Sequence, residues 1–136
     1  MPKVKRNDAV KERVVARIAG VKQWRQLPAS KWRAKDSVLH VRFVTGPKSN
    51  GVSYAYDTNR NMLSADYAVW ICGNPNDYYL IPIDIIRRIQ EDPKSYKSSH
   101  HPTHRVISVN TRTHEASFST ARSLNFKPYF RATFSN

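Results

Sequence analysis

Aromatic side chains stand beside cations in the first quarter of the chain. Trp24 precedes Arg25, and Trp32 precedes Arg33. Aromatic rings can stack on nucleic-acid bases while neighbouring cations hold the phosphates. Packing in the core is the alternative for a tryptophan; we expect it for Trp24 and leave both interpretations open for Trp32.

His40 and Arg42 form a second chemically capable pair. They lie two residues apart in a segment that alternates between apolar and polar side chains, so a strand would place both on one face of a sheet. A histidine beside an arginine can act on a phosphodiester without a metal. It can also belong to a surface that only binds phosphate.

Other metal or thiol chemistry has less support. His100, His101 and His104 lack the paired Cys or His spacing of a structural zinc site, so a solvated basic loop is the better interpretation. Cys72 is the single cysteine, which excludes an internal disulfide and fits a reducing compartment. We therefore predict a cytoplasmic or nucleoid-associated protein.

The elements that would position these side chains follow from periodicity and turn signals. Apolar spacing predicts a helix from residue 8 to Gly20, and isoleucines mark a second helix that ends before Pro93. Residues 21–37 show no clean period. Strands are predicted at 38–44, 52–56, 66–72 and 78–81, a hairpin at 105–109 and 116–118, and a helical turn at 120–125.

These elements predict an α/β or α+β fold, in which a central mixed sheet of four or more strands is flanked by helices. We expect residues 1–6 to form a flexible basic arm and residues 7–136 to form a single domain.

Charge is unevenly distributed along the chain. The net charge is +13; residues 1–35 hold 11 basic and 2 acidic side chains, residues 36–92 hold 5 and 7, and residues 93–136 hold 7 and 1. A near-neutral middle with basic ends is expected of a phosphate-binding surface. A surface tuned for solubility is the alternative. We expect no membrane partner, because no basic amphipathic helix and no run of 18 apolar residues is present.

The middle of the chain carries a family resemblance. Asp66-Tyr67 opens one predicted strand, Tyr79-Leu80-Ile81-Pro82 precedes a helix, and an upstream strand runs through LHVRFVTG. In order and motif, residues 8–90 resemble the PD-(D/E)XK nuclease-like superfamily, in its resolvase-like and intron-endonuclease-like branches. The resemblance implies a restriction-endonuclease-like sheet and a DNA partner.

The chain departs from that family at the catalytic positions. Active members use a carboxylate, then Glu or Gln, then Lys, to hold Mg²⁺ and a water. His40 and Arg42 occupy the two matching strand positions, and the upstream carboxylate falls near Pro28, with no acid between Glu12 and Asp36. Mg²⁺ prefers oxygen ligands, and arginine cannot lose its proton to act as a base. The resemblance therefore implies a nuclease-like fold whose metal centre is lost.

The sequence thus predicts a nucleic-acid-binding protein, with double-stranded DNA as its partner, no cofactor, no metal and a possible homodimer. One alternative is a metal-dependent endonuclease that uses Mg²⁺ with rearranged ligands, for which Glu12, Asp36 and His40 are the catalytic candidates and Asp57 a further ligand. Another is a small basic toxin-like ribonuclease. The predicted nucleic-acid-binding residues are Lys3, Lys5, Arg6, Arg25, Lys31, Trp32, Arg33, Lys35, Arg42, Lys48, Arg105, Arg112, Lys127 and Arg131.

Overall fold

A computed structural model describes residues 5–20, 23–99, 101–120 and 122–134, without the side chains of residues 5–7. The predicted α+β class is confirmed. The helices are α1 (Lys5–Ala19) and α2 (Ile83–Glu91), and 3₁₀ turns span Arg60–Ser64 and Lys127–Tyr129. The strands are β1 (Trp24–Leu27), β2 (Lys31–Ala34), β3 (Ser37–Val44), β4 (Ser53–Thr58), β5 (Tyr67–Cys72), β6 (Tyr78–Pro82), β7 (Arg105–Asn110), β8 (Glu115–Ser117) and β9 (Ser123–Asn125).

The strands form two sheets. The first sheet is mixed and has the order β1-β2-β3-β5-β6, in which β3 and β5 run parallel and the other neighbours are antiparallel. The second sheet is antiparallel and has the order β4-β7-β8-β9. The sequence predicts the first sheet's central strands and the β7–β8 hairpin, but it does not predict that β4 leaves the first sheet to join this hairpin.

Two apolar clusters lie on opposite faces of the first sheet. Val14, Val15 and Ile18 of α1 pack on one face, against Leu39, Val41 and their neighbours. On the other face, α2 and the second sheet enclose a larger cluster. Because β5 is covered on both faces, its side chains are apolar without interruption from residue 68 to residue 72.

The seam between the sheets is aromatic. The ring of Tyr56 on β4 stacks on Trp70 of β5 at 4.5 Å, and the Tyr56 hydroxyl donates to the Ile71 carbonyl at 2.7 Å. The same hydroxyl lies 3.1 Å from the Cys72 sulfur. Burial raises the pKa of the Cys72 thiol to about 12, so this thiol stays protonated and unreactive.

Several local predictions are confirmed. Gly20 ends α1 with φ +65°, and Gly73 turns the chain after β5 with φ +84°. A Cβ atom at Gly73 would lie 2.9 Å from the Tyr54 hydroxyl. Both this close approach and the positive φ therefore favour glycine in the turn.

The local structure differs from the sequence analysis in three places. Residues 123–125 form β9 rather than a helical turn, because their backbone pairs with β8. The sequence of a three-residue segment does not indicate such a pairing. The unassigned residues 24–34 form the β1–β2 hairpin. Helix α1 begins at Lys5, inside the predicted arm of residues 1–6, and residues 1–4 lie outside the described part of the chain.

Candidate nucleic-acid interface

One face of β1, β2 and β3 carries a row of cations. In the antiparallel register Arg25 lies directly opposite Arg33, and Lys31 lies directly opposite His40. Arg42 follows His40 by two residues and therefore shares its face. We call Arg25, Arg33, Lys31, His40 and Arg42 the basic strip.

The strip is built by the alternation of the strands that carry it. On β2, Trp32 and Ala34 turn toward α1 and are buried, so Lys31 and Arg33 must turn the other way. On β3, Leu39 and Val41 turn toward α1 in the same way, so His40 and Arg42 turn to the opposite face. The shared face predicted for His40 and Arg42 follows from this alternation.

Exposure falls along the strip from the sheet edge toward its centre. Arg25 and Arg33 are exposed, whereas Lys31 and Arg42 are half-buried. The Lys31 ammonium donates to the Ser64 hydroxyl at 2.6 Å, and Arg42 donates to the backbone carbonyl of Asp57 at 3.4 Å. Both partners are neutral, so these contacts orient the two cations without neutralising their charge.

His40 is the most deeply placed member of the strip. It is 8% exposed, and its Nδ1 atom is buried without a hydrogen-bond partner among the described residues. Burial lowers the pKa of His40 to about 4, assisted by the positive charges of Arg42, Lys31 and Lys11. His40 is therefore neutral at pH 7, and none of the causes of its shift is a carboxylate.

Lys11 is a residue that the sequence did not select. It lies on α1, and its charge acts on both His40 and Arg42. Burial is the main cause that lowers the pKa of Lys11; Asp8 opposes the shift and Arg42 adds to it. The sequence pattern of the helix places Lys11 off the apolar stripe of Val10, Val14 and Ile18, which indicates a side chain that faces solvent or a ligand but not its nearness to His40.

The acidic candidates lie on three separate elements. Glu12 is exposed on α1, Asp36 is exposed in the turn between β2 and β3, and Asp57 is half-buried on β4. Within the part of the chain that the structure describes, no group of three or more His, Cys, Asp or Glu side chains could hold a metal ion.

A cleft opens at the end of the β1–β2 hairpin that continues into β3. It is open to solvent and has a volume of about 370 Å³, and its lining residues are Gln23, Trp24, Arg25, Arg33, Lys35 and Asp36. Here the predictions for the two tryptophans need correction. Trp24, expected in the core, is 36% exposed, because β1 is an edge strand that α1 covers incompletely.

Trp32 was predicted to bind nucleic acid, and this prediction is wrong for its ring. Trp32 is 1% exposed, because it lies on the face of β2 that packs in the α1 cluster. Its ring contacts that of Trp24, with centroids 5.7 Å apart. A base therefore has access to Trp24 and not to Trp32.

The remaining predicted cations lie away from the strip. Arg131 donates to the Asp77 carboxylate at 3.0 Å and to the Asn76 carbonyl at 2.7 Å, so it fastens the C-terminal segment to the turn before β6. Arg105 donates to the Pro102 carbonyl at 3.3 Å. Lys48, Arg112 and Lys127 are exposed.

The N-terminal candidates cannot be placed. Lys3 lies outside the described residues, and Lys5 and Arg6 are described by their backbone alone. The sequence also missed a second cationic cleft, lined by Arg60, Arg87 and Arg105 together with Glu91. These residues are spread over 46 positions of the sequence, so no local motif links them.

No protein-family model, curated protein or solved structure matches this chain. The resemblance to nucleases therefore stays a prediction. No helix among residues 5–20, 23–99, 101–120 and 122–134 is long and apolar enough to cross a membrane.

Proposed function

We propose that this protein binds nucleic acid through the basic strip and does not hydrolyse it. The observation that carries the proposal is the direct cross-strand pairing of Arg25 with Arg33, and of Lys31 with His40, on one face of a sheet. Arg25 and Arg33 are like charges directly opposite each other, which destabilises a sheet, and a bound polyanion removes this cost.

The state of His40 supports the same proposal. Every neighbouring charge that shifts its pKa is positive, and each of them lowers it. A site built for a cationic or metal ligand would carry carboxylates instead. A chain of phosphates supplies the missing negative charge at several points along the strip.

A binding assay with matched variants tests the proposal. Replacing Arg25 and Arg33 by Gln removes two charges from the strip, while replacing the exposed Lys94 and Lys97 by Gln removes two from a distant loop. We expect fluorescence anisotropy with labelled DNA and RNA to show a much larger loss of affinity for the first pair. Equal losses would indicate attraction by net charge alone, and no binding at low salt would overturn the proposal.

One observation favours a second candidate, a metal-free ribonuclease. A neutral His40 with an unpartnered Nδ1 beside Arg42 and Lys31 has the protonation state of a general base near groups that could stabilise a phosphorane. A pKa near 4 makes it a weak base, so we rank this activity below binding.

Incubation with RNA and with supercoiled plasmid, each with Mg²⁺ and with EDTA, separates the candidates. We expect no cleavage under any condition. RNA cleavage in EDTA that His40→Gln abolishes would establish the ribonuclease. Cleavage that needs Mg²⁺ and is lost in Glu12→Ala or Asp36→Ala would establish the metal-dependent endonuclease.

A further inference from the structure

Trp24 is one of two large apolar side chains exposed among the described residues; the other is Tyr96. Trp24 is 36% exposed, and the buried ring of Trp32 contacts it at an interplanar angle of 49°. Trp24 is therefore supported by the core while part of its ring is open to a ligand.

The surroundings of Trp24 are strongly cationic. Arg25, Arg33 and Lys35 line the same cleft, and Asp36 is the one carboxylate in that lining. Trp24 pairs with Ala34 and therefore lies on the α1 face of the hairpin, whereas Arg25 and Arg33 lie on the strip face. A single strand that crosses the exposed edge of β1 would meet the ring on one face and the two arginines on the other. Aromatic rings beside a cationic groove are the arrangement by which proteins bind single strands.

The backbone of the cleft is strained at Lys35. This residue forms the turn from β2 to β3 with φ +56°, a conformation that long side chains seldom adopt. Lys35 and Asp36 form a two-residue loop between the paired residues Ala34 and Ser37, and such loops require positive φ. The hairpin therefore places a cation at the mouth of the cleft, where glycine or asparagine would otherwise be expected.

We infer that the cleft binds an unpaired base of a single-stranded nucleic acid, stacked on Trp24, with Arg25, Arg33 and Lys35 on the adjacent phosphates. This inference rests on the proposed function. Gln23 and Asp36 line the cleft and offer hydrogen-bonding groups to the base edge. The faces of bases in a duplex are stacked on one another, so the cleft discriminates against paired DNA.

Tryptophan fluorescence provides a direct readout. Trp32 and Trp70 are 1% and 0% exposed, so a base can stack only on Trp24 of the three tryptophans in the chain. We expect a thymidine oligonucleotide to quench the emission, and an abasic oligonucleotide with the same phosphates to quench it far less. A uridine oligonucleotide of equal length tests RNA in parallel.

The affinity measurements use three variants. Trp24→Ala should weaken single-strand binding roughly five- to hundredfold, the range for loss of one base–aromatic stack. Trp24→Phe keeps a ring against Trp32 and should recover part of that loss. Tyr96→Ala removes the other exposed aromatic side chain and should have no effect. Circular dichroism melts check that each variant is folded.

The abasic oligonucleotide also identifies the cause of any loss. If Trp24 stacks a base, Trp24→Ala should not weaken binding of the abasic strand. Equal affinity of the wild type for single and double strands, or an unchanged affinity in Trp24→Ala, would overturn the inference while leaving phosphate binding by the strip intact. Failure of every oligonucleotide to bind would instead overturn the proposed function.

Discussion

The protonation of His40 links the strip to folding stability. Between pH 6.5 and about 4 the unfolded chain binds a proton at His40 that the folded chain does not bind. The free energy of unfolding should therefore fall as the pH falls through this window, by about 3 kcal/mol for this residue at its lower end. Above pH 6.5 both states are neutral at His40, so its contribution is constant.

Urea titrations of the wild type and of His40→Gln at several pH values between 4 and 7 measure this contribution. Every other ionisable group is present in both proteins, so the difference between the two curves isolates His40. We expect the difference in the free energy of unfolding between the two proteins to change by about 3 kcal/mol between pH 7 and pH 4. Parallel curves would show that His40 is not held neutral by the folded protein.

Arg42 should act on both the ligand and His40. After burial, its charge is the largest cause of the lowered pKa of His40. Arg42→Gln should raise the His40 pKa toward 6.5, which NMR titration of the imidazole protons would detect. It should also weaken nucleic-acid binding by on the order of 1–2 kcal/mol, the scale of a charge-assisted hydrogen bond. An unchanged His40 pKa would contradict the electrostatic account of the strip.

Only part of this residue-level picture could be predicted. The alternation in β3 predicts that His40 and Arg42 share a face, because it depends on neighbouring residues alone. The influence of Lys11 depends on how α1 crosses the sheet, which no local pattern contains. The exposure of Trp24 depends on β1 being an edge strand, and this too is a property of the assembled sheet.

At the scale of elements, the charges of the β1–β2 hairpin that favour nucleic-acid binding should lower the stability of the folded protein. Arg25 and Arg33 repel each other across the ladder. Arg33→Glu replaces the repulsion with a cross-strand ion pair, and should raise the free energy of unfolding by roughly 0.2–1 kcal/mol. The same change should weaken nucleic-acid binding, because it puts a negative charge on the strip.

Lys94→Glu is the matched control for Arg33→Glu. Lys94 is exposed in the loop after α2, and its reversal changes the net charge by the same amount. It should reduce binding far less than Arg33→Glu does. Thermal melts and anisotropy on both variants make the comparison; a destabilised Arg33→Glu protein would show that the arginine pair is not under repulsion.

The hairpin also shows why element prediction failed where it did. Its strands have four residues each. β1 is exposed at three of its four positions and carries no apolar period, and the alternation of β2 is too short to identify a strand. Two of its turn residues, Ala29 and Ser30, have positive φ without being glycine or asparagine. The long, doubly covered β5 had the opposite properties, and the sequence predicted it well.

For the whole molecule, the salt dependence of the binding affinity reports how many phosphates the protein contacts. If Arg25, Lys31, Arg33 and Arg42 each neutralise one phosphate of a single strand, log affinity should fall with log salt at a slope near −3. Raising salt from 50 to 200 mM would then weaken binding about fiftyfold. Replacing Arg25 and Arg33 by Gln should halve the slope, and a slope unaffected by that change would place the phosphates elsewhere on the protein.

The fold class was predictable because helices and strands leave a periodic pattern of apolar residues within a short stretch of sequence. The seam between the two sheets was not, since β4 pairs with β7 across 47 to 57 positions of the chain. The net charge of +13 follows from the sequence, but the strand register was needed to show that four of the cations share one face with His40.

Because Cys72 is buried between the two sheets, the reactivity of its thiol measures how often the sheets separate. A thiol reagent can reach this sulfur only after Tyr56 leaves it, and Tyr56 leaves only when the second sheet moves off the first. We expect modification by a disulfide reagent to be very slow in native buffer and to accelerate steeply in denaturant, as opening becomes more frequent. Rapid native-state modification would mean that the seam opens often. Since the chain holds one cysteine, a single absorbance trace then measures how often the two layers part, with no label attached.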